Sequence, residues 1–216
     1  TCKRPLPAGR VSWAEAFLFG LILALLGAIY LLITMPNTLP ALLAALTFAS
    51  YIAVYTPLKR VTTLNTVIGA VPGAMPPLIG YAAVRGEISA EAWALFAILF
   101  VWQIPHFLAI AWMYREDYGR AGLRMLPVVD PQGWVTARQM VLYCVALIPT
   151  GLMPVMVGEA GWLYGIGSTL LAIYFLRSAI AFVRQRADAT AKKAMRASLV
   201  YLPLVLMLLV VDRWMH

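Results

Sequence analysis

Residues 90–114, AEAWALFAILFVWQIPHFLAIAWMY, carry one glutamate near the start and one histidine in an otherwise apolar run. A run of about 20 such residues is enough to cross a bilayer as a helix. That length constrains the fold more than anything else in the chain. Within hydrocarbon every backbone polar group must be satisfied internally, which leaves helices or closed barrels, and an uninterrupted run of this kind is helical. The run then passes directly into Arg115, Glu116, Asp117, Arg120 and Arg124. Its end is therefore a membrane boundary carrying a dense group of charges.

Six further apolar segments have the same character, at residues 14–34, 41–55, 63–84, 140–157, 162–183 and 199–211. With 62% hydrophobic and only 12% charged residues among 216, the chain lacks the polar surface a soluble core requires. The expected class is all-α, a polytopic transmembrane helical bundle of about seven spans. Strict alternation places Lys59 and Arg60, the 115–138 loop, and Arg184, Arg186, Lys192, Lys193 and Arg196 on one face. Only Arg85 and Arg213 of the loop cations fall on the other, so the positive-inside rule makes the first face the cytoplasmic one. The net charge of +8 is spread through these short loops, which argues against a nucleic-acid partner. The third segment contains Gly69, Pro72, Gly73, Pro76, Pro77 and Gly80, and predicts a kinked helix lining a cavity.

Cys2 lies in a polar strip and Cys144 inside an apolar segment, so a bridge between them is not expected, and no zinc spacing occurs. The opening TCKRPLPAGR has neither an initiating Met nor a signal-peptide pattern, and the chain is expected to begin partway through a longer protein.

Three groups could carry chemistry. Tyr55, Lys59 and Arg60, with Asn65 entering the next helix, set cations beside a phenol at a boundary. Tyr55 and Lys59 have the spacing that shares a helix face. Cations there suit a diphosphate, and the alternative is an orienting loop with an interfacial tyrosine. The second group is the 115–124 cluster, in which Asp117 either holds Mg²⁺ or pairs with Arg120 or Arg115. The third is His106, after Pro105. An intramembrane histidine is a functional candidate by default, and the alternative is an imidazole bonded to carbonyls freed near the proline. Trp102, Phe107 and Trp112 read as helix packing. The basic-aromatic loop and the charged loop are expected to face each other.

YTPLKR at 55–60, TTLNTVIGAVPGAMPPLIGYAA after it, and WQIPHFLAIAWMYREDYGRAGLRMLPVV from Trp102 resemble, in this order, the protohaem IX farnesyltransferases, or haem O synthases, of the intramembrane UbiA-type prenyltransferases. RPLPAGR at 4–10 belongs to the same resemblance, which covers nearly the whole chain.

The resemblance implies a nine-helix prenyltransferase fold, of which about seven spans are here, in one membrane-embedded domain. It implies farnesyl transfer from farnesyl diphosphate to a vinyl group of haem B, with water added and diphosphate released, for haem A and cytochrome oxidase biogenesis. Tyr55 and Lys59 match the family's Tyr-x-x-x-Lys motif, and Asp117 its second acidic motif, which is shortened by Gly119 and Ala121. On this reading Tyr55, Lys59 and Asp117 are catalytic, Asp117 holds Mg²⁺, Lys59, Arg60, Asn65, Arg120 and Arg124 bind diphosphate, and His106 faces the cavity on the haem side. A first Asn/Asp-rich motif is expected before RPLPAGR and is not among these residues. The expected location is a bacterial cytoplasmic or mitochondrial inner membrane, with haem A synthase as a possible partner. The rival expectations are a prenyltransferase acting on an aromatic acid or quinone precursor and a multi-span transporter with His106 and Asp117 on an ion or proton path.

Overall fold

The computed structural model describes residues 5, 6 and 8–215, so the reading of Cys2 lies outside the described residues. Among the described residues, seven helices are long and apolar enough to cross a membrane. In chain order they are α1 (Trp13–Thr34), α2 (Leu39–Ser50) continuing through a π-helical turn (Tyr51–Tyr55) into α3 (Thr56–Leu58), α4 (Asn65–Arg85), α5 (Ala90–Met113), α8 (Trp134–Met156), α9 (Trp162–Arg184) and α10 (Asp188–Trp214). Two short helices, α6 (Arg115–Arg120) and α7 (Leu126–Val129), lie in the charged loop between α5 and α8.

The main core is built where α5 packs on α8 and α10, with α9 against both of the latter. Ile98, Leu147, Tyr164, Phe175, Phe182 and Tyr201 are fully buried there. Alanines at 109, 111, 137, 172, 179, 194 and 197 are buried beside them and let the helix backbones approach closely, the usual means of packing where lipid removes a hydrophobic driving force. A second cluster of Leu43, Met75, Leu78, Ala82 and Ala92 joins α2, α4 and α5. Helix α1 packs on α2 and has no buried residue, so its apolar surface is available to lipid. Its start is set by a capping box, in which Ser12 Oγ accepts the Glu15 N–H at 3.2 Å and Glu15 Oε2 accepts the Ser12 N–H at 2.7 Å.

Two boundaries differ from the hydropathy reading. Helix α8 begins at Trp134 rather than 140, because Asp130 Oδ2 accepts both the N–H (2.7 Å) and the Oγ1 hydroxyl (2.9 Å) of Thr136 and stabilises an early first turn. Helix α10 begins at Asp188 rather than 199. Lys192, Lys193 and Arg196 are helical, with their side chains exposed while Ala191, Ala194 and Ala197 are buried. An average over such an amphipathic stretch conceals its helicity.

At the end of the bundle away from the charged loop, Asp212 is buried and accepts backbone N–H groups from Gly161 and from Tyr164, the latter at 3.2 Å. It satisfies donors at the start of α9, and the adjacent Arg213 pairs with Glu159.

Candidate functional site

The site is assembled by a seam between two loops. The Arg124 N–H donates to the Lys59 carbonyl at 2.7 Å, and Arg124 Nη1 to the Val61 carbonyl at 3.3 Å. Asn65, fully buried at the start of α4, donates from Nδ2 to the carbonyls of Thr62 (2.5 Å) and Arg124 (2.9 Å). One side chain thus satisfies a carbonyl from each loop, and the loop after α3 faces the loop after α5 as the charge pattern predicts.

Lys59 is placed by an irregular helix end. Proline at 57 has no N–H, and its ring would crowd a carbonyl one turn earlier in a regular α-helix. The chain instead widens into the π turn, with Thr56 N–H and Oγ1 both directed to the Tyr51 carbonyl, the hydroxyl at 2.9 Å. The Lys59 N–H then donates to the Tyr55 carbonyl at 3.2 Å, and Tyr55 and Lys59 share one face despite the proline. Lys59 Nζ lies 4.2 Å from the Tyr55 ring centroid and 5.5 Å from that of Tyr51. Partial burial lowers the pKa of this ammonium from the ordinary lysine value, while the ring faces favour its cation. Gly69 on α4 makes room for the phenol, since a Cβ there would lie 2.9 Å from Tyr55 Cζ and closer still to Cε2.

The 115–124 cluster divides. Arg115 donates to Asp188 Oδ1 of α10 at 2.7 Å and to the Trp112 carbonyl at 2.6 Å, and stacks on the Trp112 ring. It belongs to the packing of the bundle. Asp117 pairs with Arg120 at 2.6 Å on α6, with both side chains more than half exposed. Arg124 is in the seam, and Arg60 is exposed near the start of the first loop.

A cavity of 240 Å³ adjoins the seam. Thr63 and Leu64 of the first loop and Leu126 beyond the second line it, together with Thr66 and Val67 of α4 and Ile104 and Leu108 of α5. The third segment lines the cavity with Thr63, Leu64, Thr66 and Val67, ahead of its glycines and prolines. A larger groove of 460 Å³ runs over α8 past Trp134, Arg138, Val141 and Leu142. It shares Val135 with the cavity but includes none of Thr63, Leu64, Thr66 and Leu126, the residues that flank the seam, so the smaller space is the one next to the two loops.

His106 does not face that cavity. Ile104 and Leu108 do, and a residue midway between them is turned about half a turn away. The imidazole points instead at α10, with Nδ1 2.7 Å from Ser198 Oγ, and stacks on Trp102 with centroids 4.9 Å apart. Its partner is thus a hydroxyl on another helix rather than a carbonyl near Pro105. Two contributions escaped the sequence reading: Tyr51 as a second ring beside Lys59, for which the four-residue spacing to Tyr55 was a signal, and Ser198, for which there was none.

Comparisons with known proteins agree with this architecture. The UbiA prenyltransferase family pattern matches residues 1–202. A relative in Solibacter usitatus (strain Ellin6076), named protoheme IX farnesyltransferase, is 49% identical over 213 residues, covering 99% of this chain and 73% of the relative. One of the same name in Salinibacter ruber (strain DSM 13855 / M31) is 48% identical, covering 98% and 75%. A solved structure described as "Structural and mechanistic insights into the biosynthesis of Digeranylgeranylglyceryl phosphate synthase in membranes" matches with a TM-score of 0.79 over 99% of this chain and 75% of that one. At 19% identity it speaks to the fold alone. With a pattern match over nearly the whole length and close relatives that it covers by about three quarters, this chain belongs to the UbiA prenyltransferase family.

Proposed function

We propose that the protein transfers a farnesyl group from farnesyl diphosphate to a vinyl group of haem B, giving haem O and diphosphate. The observation that carries the chemistry is the seam, which ties the Lys59–Arg60 loop to Arg124 of the loop that also carries the Asp117–Arg120 pair, next to a cavity entered by the neighbouring Thr63, Leu64 and Leu126. The names of the relatives supply donor group and acceptor, protoheme IX farnesyltransferase, at 40–49% identity over 94–99% of the chain. These relatives set aside the transporter and quinone-type readings.

An allylic diphosphate ionises when its leaving group is stabilised: the C1–O bond breaks and the electron pair departs with the diphosphate. Lys59, Arg60, Arg120 and Arg124 neutralise that charge, and Asn65 holds the loops that present them. Tyr55 lies against Lys59 and orients it. The vinyl carbon bonds to farnesyl C1, the cation formed beside the porphyrin takes up water, and a proton leaves. Apolar walls such as Ile104 and Leu108 keep bulk water from the farnesyl group before that step. His106 makes the haem-side contact from the α10 face of α5.

Among the described residues no three His, Cys, Asp or Glu side chains cluster as a metal site. Mg²⁺ takes one or two carboxylates and completes its shell with phosphate oxygens and water, so the exposed Asp117 fits a cation that arrives with the diphosphate. Asp117 would hold it, and the ion would add charge stabilisation at the leaving group. We place all 216 residues in one membrane-embedded unit, with the seam on the cytoplasmic or matrix side of a bioenergetic membrane and haem A synthase as the enzyme that takes up the product.

The test supplies purified protein in lipid nanodiscs with farnesyl diphosphate, haem B and Mg²⁺, and follows products by mass spectrometry. The expected result is haem O with equimolar diphosphate. Farnesylation of a quinone precursor with no farnesylated haem would overturn the reading.

A further inference from the structure

Two interactions converge on Ser198 from α5. His106 Nδ1 lies 2.7 Å from its hydroxyl oxygen, and Trp102 Nε1 donates to its carbonyl at 2.8 Å. Trp102 and His106 are themselves stacked, with 15° between their planes. The imidazole is therefore restrained through its ring face and through one nitrogen, and both restraints end at the same fully buried residue of α10.

The hydrogen-bond inventory of Ser198 decides which nitrogen of His106 carries the proton. A serine hydroxyl has one proton to donate and lone pairs that accept. Ser198 Oγ lies 2.6 Å from the Met195 carbonyl, and a carbonyl oxygen can only accept, so the hydroxyl proton is committed there. What remains toward His106 is a lone pair. The imidazole must then donate from Nδ1. In a neutral ring this leaves Nε2 unprotonated, and Nε2 has no hydrogen-bond partner among the described residues.

We infer that Ser198 is a positioning residue, which fixes His106 in the Nδ1–H tautomer and presents the Nε2 lone pair to the iron of haem B. This rests on the haem-side role proposed for His106. The physical reason is the one that governs metal-bound histidines generally: a hydrogen bond from the distal N–H fixes tautomer and ring orientation and makes the other nitrogen a better ligand, and its removal commonly costs about 10- to 100-fold in affinity. A buried serine whose own proton is occupied supplies an acceptor without carrying a charge into the membrane interior. Trp102 limits rotation of the ring and, through its bond to the Ser198 carbonyl, keeps α5 and α10 in register at this level.

The chain has only two histidines, His106 and His216, so ¹⁵N-histidine labelling of the protein in nanodiscs gives a readable spectrum without haem. The His106 signals are expected to show a protonated Nδ1 and an unprotonated Nε2, and Ser198→Ala is expected to shift population toward the Nε2–H form. An Nε2–H tautomer in the unsubstituted protein overturns the inference. Haem B titration then reads the consequence. Ser198→Ala is expected to weaken binding about tenfold and to lower the iron–imidazole stretching frequency in resonance Raman spectra, while Ser198→Thr, which keeps the hydroxyl, stays near the original values. If His106→Ala abolishes the iron–imidazole band but Ser198→Ala leaves band and affinity unchanged, the positioning role alone is overturned. If His106→Ala keeps the band, the haem-side role of His106 is wrong and the inference falls with it.

Discussion

The main-chain N–H of Arg124 donates to the carbonyl of Lys59 at 2.7 Å, joining the loop after α3 to the loop that follows α5 and α6. Cations far apart in sequence are thereby carried by two loops that meet. Asn65 secures the contact by donating to the Arg124 carbonyl from a fully buried position.

Asn65→Ala is predicted to leave the carbonyls of Thr62 and Arg124 without their side-chain donor, at a cost of about 1–3 kcal/mol in unfolding free energy. The loops should separate before the helices do. Hydrogen exchange across residues 59–65 and 120–126 should rise in this variant while exchange in α9 stays unchanged, and weaker binding of farnesyl diphosphate should accompany it.

Gly69→Ala is predicted to act on Lys59 through Tyr55. The added methyl would occupy the space of the phenol ring, which must shift and take the ammonium resting against it along. Small displacements of a charge-stabilising group are costly, so farnesyl transfer should fall by about tenfold or more with little loss of thermal stability. Steady-state kinetics beside a melting curve separate these outcomes, and an unchanged rate would mean that Tyr55 does not orient Lys59.

The lowered pKa of Lys59 gives a pH dependence with a definite sign. On the proposed reading diphosphate binding needs the ammonium, which is present below the native pKa and lost as pH rises through it. Since burial sets that pKa below the ordinary lysine value of about 10.4, affinity for a non-hydrolysable farnesyl diphosphate analogue should begin to fall on the neutral side of that value. Lys59→Arg, which stays charged, should remove this alkaline decline. Identical profiles for the two proteins would show that another group sets it.

Asp212 supplies a contrast from the other end of the bundle. Asp212→Asn keeps the shape of the side chain but gives up a charged acceptor for the N–H groups of Gly161 and Tyr164, and is predicted to cost about 1 kcal/mol in stability. At matched folded protein, the rate of farnesyl transfer should not change.

Much of this is legible in the sequence, for reasons that differ by residue. Segments such as Ala90–Met113 announce themselves because a bilayer demands length and apolarity together. The pairing of Lys59 with Tyr55 followed from helical spacing, and the meeting of the two loops from the parity of membrane crossings. The direction of His106 was not legible, since mid-membrane cost implies a partner without naming the helix that provides it. Nor was the division of the arginine cluster. Arg115 and Arg120 look alike in sequence, and only the arrival of Asp188 from α10 beside Arg115 separates a packing cation from one left exposed on α6.

The central claim is that one diphosphate is gripped by both loops at once. The most direct measurement is a double-mutant cycle on farnesyl diphosphate affinity in the presence of Mg²⁺, with Lys59→Met in one loop, Asp117→Asn in the other, and the two combined. Groups that share a ligand couple, and a coupling energy of about 1 kcal/mol or more is predicted, with the double variant weakened less than the sum of the single losses. Strict additivity, or an Asp117→Asn protein whose affinity and Mg²⁺ dependence match those of the unsubstituted protein, would contradict the shared site.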